Sequence, residues 1–265
     1  MKHFLHPFPR VAALAILVTL ALAAGAACGR NNNQLPAPGS VDADKFLFDR
    51  GTTLLKEKKW FAAREYFRKL IDAFPTSQYR YDAKLGIGDS YIGEGRIDSF
   101  ILAANEFREF LTFYPVAARA DYAQYKLAVA QSRQTLSAQR DQTATHEALR
   151  EIDTFLKLYP NSSLQPEVQK LRRQMRDLLS ESEFAPGLHY YRIRWYPGAI
   201  ERFTTLLKDD PEFTHRDKVF FYLAESLRKM KAAPEAQIYY EKLLDDFPKT
   251  KYANDARKAL AQIKR

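Results

Sequence analysis

Five times along the chain an alanine is followed, twelve residues later, by a proline. The stretches are AREYFRKLIDAFP (63–75), AANEFREFLTFYP (103–115), ALREIDTFLKLYP (148–160), AIERFTTLLKDDP (199–211) and AQIYYEKLLDDFP (236–248). Counted from the alanine, positions +4, +7 and +8 are apolar in every copy: Phe67, Leu70, Ile71; Phe107, Phe110, Leu111; Ile152, Phe155, Leu156; Phe203, Leu206, Leu207; Tyr240, Leu243, Leu244. Residues at i, i+4, i+7 and i+8 share one face of an α-helix. The alanine that starts the stripe lets a neighbouring helix come close. Proline lacks an N–H and disfavours the α conformation in the residue before it, so it stops the helix. A fixed ruler of this kind leaves little besides a stack of repeated helical units.

A second helix precedes each ruler. Leu47, Gly51 and Leu54 stand 16, 12 and 9 residues before Ala63, and Phe220, Ala224 and Leu227 hold the same places before Ala236. These spacings resemble the tetratricopeptide pattern, in which two helices and a turn form one unit. The expected fold is therefore an all-α superhelix of about five helical hairpins. The proline spacings, 40, 45, 51 and 37 residues, exceed the uninterrupted repeat of about 34. We place the excess in a longer turn at GEGRIDS (93–99), an insertion at SAQRDQT (137–143), and an amphipathic helix over 164–184 that runs on into the fourth hairpin. KYANDARKALAQIKR (251–265) reads as the capping helix that a solenoid needs. The organisation expected is an N-terminal block of three repeats over 43–162, then a linking helix and a block of two repeats plus cap over 163–265.

Ahead of the repeats, Lys2 and Arg10 flank an uncharged run, VAALAILVTLALAAGAAC (11–28). A basic start, an apolar middle and small residues before a cut make a secretory signal; the run is also long enough for a membrane-spanning helix. Gly25-Ala26-Ala27-Cys28 resembles the lipobox of bacterial lipoproteins, with Gly25 where Leu is usual. The resemblance implies a signal peptide over 1–27 and acylation of Cys28; Ala24-Gly25-Ala26 also suits ordinary signal peptidase. Gly29 follows, rather than the Asp that retains lipoproteins in the inner membrane, which by the same resemblance favours the outer membrane. Residues 29–42, GRNNNQLPAPGSVD, read as a flexible tether. Cys28 is the only cysteine, so an internal disulfide is excluded. The formal charge is +9, of which residues 1–27 contribute only Lys2 and Arg10. Export makes nucleic acid a poor partner for that charge, most of which reads as solvated helix surface.

Catalytic and metal-binding patterns are missing. His146, His189 and His215 do not pair at helical spacing, and there is no H-E-x-x-H and no cysteine pair. GIGDSYIGEG (86–95) has Tyr91 where a dinucleotide-binding loop needs its third glycine, and it falls in a helix; its glycines are expected to ease helix contacts. No enzyme activity and no cofactor are expected. The cluster Tyr190, Tyr191, Arg192, Arg194, Trp195, Tyr196 holds the residue types that anchor interfaces. Some of these are expected to pack the hairpin and some to face a partner; Arg194, Trp195 and Tyr196 are the candidates.

A lipobox-like cysteine, a polar tether, five such units with long third and fourth repeats, and no catalytic site together resemble the BamD family, lipoprotein subunits of the outer-membrane β-barrel assembly machinery. WFAAREYFRKLIDAFPTSQY (60–79), QRDQTATHEALREIDTFLKLYPNS (139–162) and HYYRIRWYPGAIERFTTLLKDDP (189–211) carry the likeness. It implies a scaffold that docks a BamA-like barrel insertase through its C-terminal repeats, sits beside other lipoproteins of the machinery, and receives unfolded outer-membrane proteins at its N-terminal repeats. Arg202 matches a family arginine associated with the insertase contact, and its place before Phe203 turns it outward. Other envelope roles remain open: a partner of the Tol-Pal system, or an anchored scaffold for cell-wall enzymes.

Overall fold

Each ruler folds as the second helix of a hairpin. The structure, a computed structural model, describes residues 42–263, which form eleven helices and no strand. The first hairpin pairs α1 (Ala43–Lys56) with α2 (Trp60–Ala73), and the second pairs α3 (Arg80–Glu94) with α4 (Ile97–Phe113). The third pairs α5 (Ala120–Ser132) with α6 (Thr143–Leu158). The fourth joins α7 (Gln165–Arg192) to α8 (Tyr196–Asp209), the fifth joins α9 (Arg216–Lys229) to α10 (Ala233–Asp246), and α11 (Ala253–Ile263) closes the stack. From α2 onward each helix packs on the next, the right order for a tetratricopeptide superhelix. The leader, Cys28 and all but the last residue of the tether lie outside the described residues.

The ruler's stripe is the core. Ala63, Ala103, Ala148, Ala199 and Ala236 are fully buried, as are Phe107, Ile152, Phe203 and Tyr240 at +4 and Leu70, Phe110, Phe155 and Leu243 at +7. The +8 residues, such as Ile71 and Leu207, are half-buried. Phe67 shows how tightly the hairpins meet. A Cβ on Gly51 of α1 or on Gly86 of α3 would stand 2.6 Å from its ring, on opposite edges. So GIGDSYIGEG uses its glycines for contact: Gly88 bears on Phe107 and Gly93 on Trp60 in the same way.

The prolines act as expected. Phe74, Tyr114, Tyr159, Asp210 and Phe247 each precede one, take φ between −126° and −137°, and donate a last N–H to the carbonyl four residues back. One feature the sequence reading missed lies just beyond. Ser77 donates to Asp44 at 2.6 Å, Ser162 to Asp121 at 2.6 Å, Thr214 to Asp177 at 2.6 Å and Thr250 to Asp217 at 2.5 Å. Each hydroxyl, between a proline and the next helix, is bonded to an aspartate in the first helix of the hairpin just completed, which clasps the connecting segment to that hairpin. After Pro115 no hydroxyl stands in that place, and Arg119 instead pairs with Asp82 at 2.7 Å.

The turns inside the hairpins are tight except in the third, where residues 133–142 separate α5 from α6, as the insertion at SAQRDQT predicts. At three of them the helix ends in paired bonds: Lys58 N to Leu55 O and Lys59 N to Leu54 O; Arg194 N to Tyr191 O and Trp195 N to Tyr190 O; Lys231 N to Arg228 O and Ala232 N to Leu227 O. This is the Schellman motif, whose turn residue is left-handed and usually glycine. Here Lys58, Arg194 and Lys231 hold it, with φ of 60°, 64° and 63°, a conformation that costs a residue with a Cβ roughly 1–2 kcal/mol. The second hairpin has Gly95 there, with φ 72°. The longer turn expected at GEGRIDS is absent. Gly95 and Arg96 alone separate α3 from α4, and the extra residues instead lengthen α4 to 17, against 14 in α2, α8 and α10. Ile97, Asp98 and Ser99 continue the helix because Gly95 reverses the chain at once.

Candidate functional site

Arg202 sits on α8 with its neighbour Phe203 buried, and it is exposed, as a helical wheel requires. It borders a cleft of about 420 Å³ between α7, α8 and the start of α6, lined among others by Gln142, His146, Arg176, Leu179 and Glu183. Among the described residues Arg202 has no ion pair. The cleft floor is held from behind. Asp210, buried at the end of α8, takes both guanidinium nitrogens of Arg173 and the hydroxyl of Ser180, all from α7. Burial opposes ionisation of Asp210, but the bonds from Arg173 and Ser180 outweigh it and hold its pKa below the usual carboxylate value. Arg202 thus projects from a helix fixed by a directional, charged joint.

The aromatic–basic cluster divides in two. Tyr190, Tyr191 and Tyr196 are half-buried. Tyr191 lies against Tyr196 at 5.9 Å and Tyr222 at 5.0 Å between ring centres, and burial, then the charge of Glu225, raises its pKa. Arg192, Arg194 and Trp195 are exposed. The Trp195 ring stands edge-on to Tyr190 at 4.5 Å and covers Gly198, where a Cβ would meet it at 2.6 Å. Arg202 does not join them. It is six residues past Tyr196, about 9 Å along the helix and roughly 240° around it. The candidate residues therefore form two separate surfaces, a hairpin tip and a cleft.

A third surface escaped the sequence reading. Tyr191 of α7, Phe221 and Tyr222 of α9, and Tyr252 in the turn before α11 form a ladder: Tyr222 also lies 5.9 Å from Tyr252, and Phe221 stacks on Tyr252 at 4.7 Å. Below it, Glu225 accepts from Arg228 and from the buried Tyr240 hydroxyl. Burial works against the Glu225 charge, and those two donors more than offset it, so its pKa is lowered. The pair Phe221-Tyr222, beside core Phe220, was the available signal; a run of three aromatics does not say which ring faces out. In the first three hairpins, Phe48 stacks on Tyr79 at 5.1 Å, and the Tyr122 hydroxyl donates to Asp89 at 2.8 Å. Among the described residues no cluster of His, Cys, Asp and Glu could hold a metal, and no helix is long and apolar enough to cross a membrane.

Comparison with known proteins bears on what these surfaces serve. The family described as YfiO, outer membrane lipoprotein, matches residues 41–238. A Caulobacter vibrioides protein named outer membrane protein assembly factor BamD is 25% identical over 253 residues, covering 95% of this chain and 81% of that one. A Rickettsia prowazekii protein of the same name is 22% identical, covering 90% and 92%. One from Xylella fastidiosa is 26% identical over 176 residues, 63% of this chain and 59% of its own. Among solved structures, the TPR2AB domain of yeast Sti1 in its pHSP90 complex aligns with a TM-score of 0.49 at 12% identity, covering 83% of this chain and 82% of that one. The family match runs from the start of α1 into the first part of α10, across four hairpins and part of the fifth, and the chain belongs to the YfiO family of outer membrane lipoproteins.

Proposed function

We propose that this protein is a non-catalytic scaffold subunit of an outer-membrane protein assembly complex, held by an acylated Cys28 at the periplasmic face. The observation that carries the reading is the family match over the repeat array, 41–238, together with relatives named as assembly factors across most of the chain. In this reading the C-terminal block docks a BamA-like insertase, with Arg202 at the cleft meeting an acidic residue of that partner. The N-terminal block receives unfolded β-barrel clients, and other lipoproteins of the complex share the remaining surface. The geometry suits such work: stacked hairpins give extended surfaces for protein partners, and Arg202 stands unpaired on a rigidly held helix.

Purification of the tagged full-length protein from detergent-solubilised membranes tests this, with partners identified by mass spectrometry. A large β-barrel protein with periplasmic repeats is the expected companion, and Arg202→Glu is expected to weaken its recovery by tenfold or more. Recovery of Tol-Pal or cell-wall components in its place would sink the reading and leave the fold untouched. Full recovery with Arg202→Glu would remove Arg202 from the contact.

A further inference from the structure

The turn between the two helices of every hairpin falls on one edge of the stack, because consecutive hairpins pack in order. On that edge the fourth and fifth tips stand next to each other, joined through the α8–α9 contact. Both present the same chemistry. At the fourth, Ile193, 56% exposed, lies between Arg192 and Arg194, and Trp195, 51% exposed, follows them. At the fifth, Met230 is 48% exposed, between Lys229 and Lys231. No Asp or Glu occurs between Phe184 and Ile200, or between Ser226 and Pro234. None of Arg192, Arg194, Lys229 and Lys231 makes an ion pair among the described residues.

The turn geometry adds a separate observation. Arg194 and Lys231 occupy the left-handed position of a Schellman motif, where glycine would be relaxed. Each holds a long cation at the apex of its turn against the backbone preference. Lys58 holds the same position at the first tip, but there Glu57 pairs with the adjacent Lys59; at the fourth and fifth tips the cations at the apex have no acid beside them, which leaves them free for an anionic contact.

We infer that the edge formed by the fourth and fifth hairpin tips rests on an anionic lipid surface. Arg192, Arg194, Lys229 and Lys231 meet headgroup phosphates, and Trp195, Ile193 and Met230 enter the boundary between headgroups and acyl chains. A tryptophan at the interface with cations beside it is the arrangement of interfacial membrane contacts, and basic residues near an anionic leaflet each add attraction. None of these tip residues lines the cleft beside Arg202, and exposed turns suit a broad, soft surface better than a peptide in a groove. The contact rests on the proposed function in one respect: the protein must work beside a bilayer.

The full-length lipoprotein would be incorporated into vesicles of neutral phosphatidylcholine, or of phosphatidylcholine with phosphatidylglycerol, some of the lipid brominated on its acyl chains. Flotation reports the anchor; quenching of tryptophan emission reports the tip. Quenching is expected in the anionic vesicles and lost in Trp195→Phe, which leaves Trp60 as the remaining tryptophan. The double variant Arg194→Gly/Lys231→Gly relieves both left-handed positions, so its urea midpoint should hold or rise. Its tip contact should weaken roughly fivefold per cation removed, and a merely structural role would give no such split. Equal quenching in neutral vesicles, or an unchanged signal in the glycine variant, would overturn the inference. So would a glycine variant that keeps its quenching and loses subunits of the complex, since the tips would then serve a protein. Failure to float with neutral vesicles would refute the anchor at Cys28, and quenching in the anionic vesicles would still decide the tips.

Discussion

Phe67 is held by two glycines on two helices, so its ring cannot move away from one without meeting the other. Gly51→Ala places a methyl group 2.6 Å from that ring. Alanine gains up to about 1 kcal/mol in helix propensity, but overpacking of a closed core costs roughly 1–3 kcal/mol. The expected net effect is a lower urea midpoint with an unchanged slope, read by circular dichroism. A midpoint that rises would show that α1 and α3 can spread around Phe67. The partners of the ring were half legible. Gly51 lies at the repeat's glycine position, twelve residues before Ala63, and was read from spacing. Gly86 belongs to the next hairpin, and no periodicity within one unit points to it. Arg202 was legible for the opposite reason: exposure follows from a single helical wheel once Phe203 is assigned to the core.

At the scale of elements, the joint between α7 and α8 sets a charged network beside its apolar core. Asp210 has its pKa lowered by Arg173 and Ser180 against the effect of burial. A carboxylate with a lowered folded pKa contributes stability that is complete above the unfolded value, near 4. That contribution is lost as pH falls through the folded value. Glu225, lowered through Arg228 and Tyr240, acts in the same direction. The urea midpoint is therefore expected to decline below about pH 5, and Asp210→Asn should flatten that decline while lowering stability at pH 7 by about 1–3 kcal/mol. Equal pH dependence in both proteins would show that Asp210 is not a source of it. The joint was not readable beforehand, since Arg173 lies in a run of basic residues and Asp210 among acids at a helix end. Burial of an acid is decided by what arrives from 37 residues away. The Ser/Thr–Asp clasps, by contrast, left a trace: a hydroxyl two or three residues after proline, in four of five copies. The second turn was misjudged because Gly and Arg read locally as loop, whereas Ile97, Asp98 and Ser99 belong to the helix that follows.

For the molecule as a whole, stability in a solenoid is close to a sum of neighbour contacts. The cap α11 packs Ala256 and Ala259 against Tyr240 and Leu243. Deleting residues 249–265 should expose that face and speed amide exchange through α9 and α10. The first two hairpins, whose core is built around Phe67, Phe107 and Phe110, should keep their protection. Uniform acceleration would mean that the stack unfolds as one unit. The order of the hairpins was legible because the ruler is a core pattern and each copy repeats it. Which surface each hairpin turns to a partner was not, because outward residues obey no common spacing.

The long helix α7 has one further consequence. It gives Val168 and Met175 to the core of the third hairpin and Phe184 to that of the fourth, over 28 residues or about 42 Å. Pro186 removes one N–H from the ladder near the far end, but the stretch from Val168 to Ser180 has no such break, so a partner that pushes on the hairpins at either end would meet a lever arm in place of a hinge, and the aspartate joint beside Ser180 would bear the load.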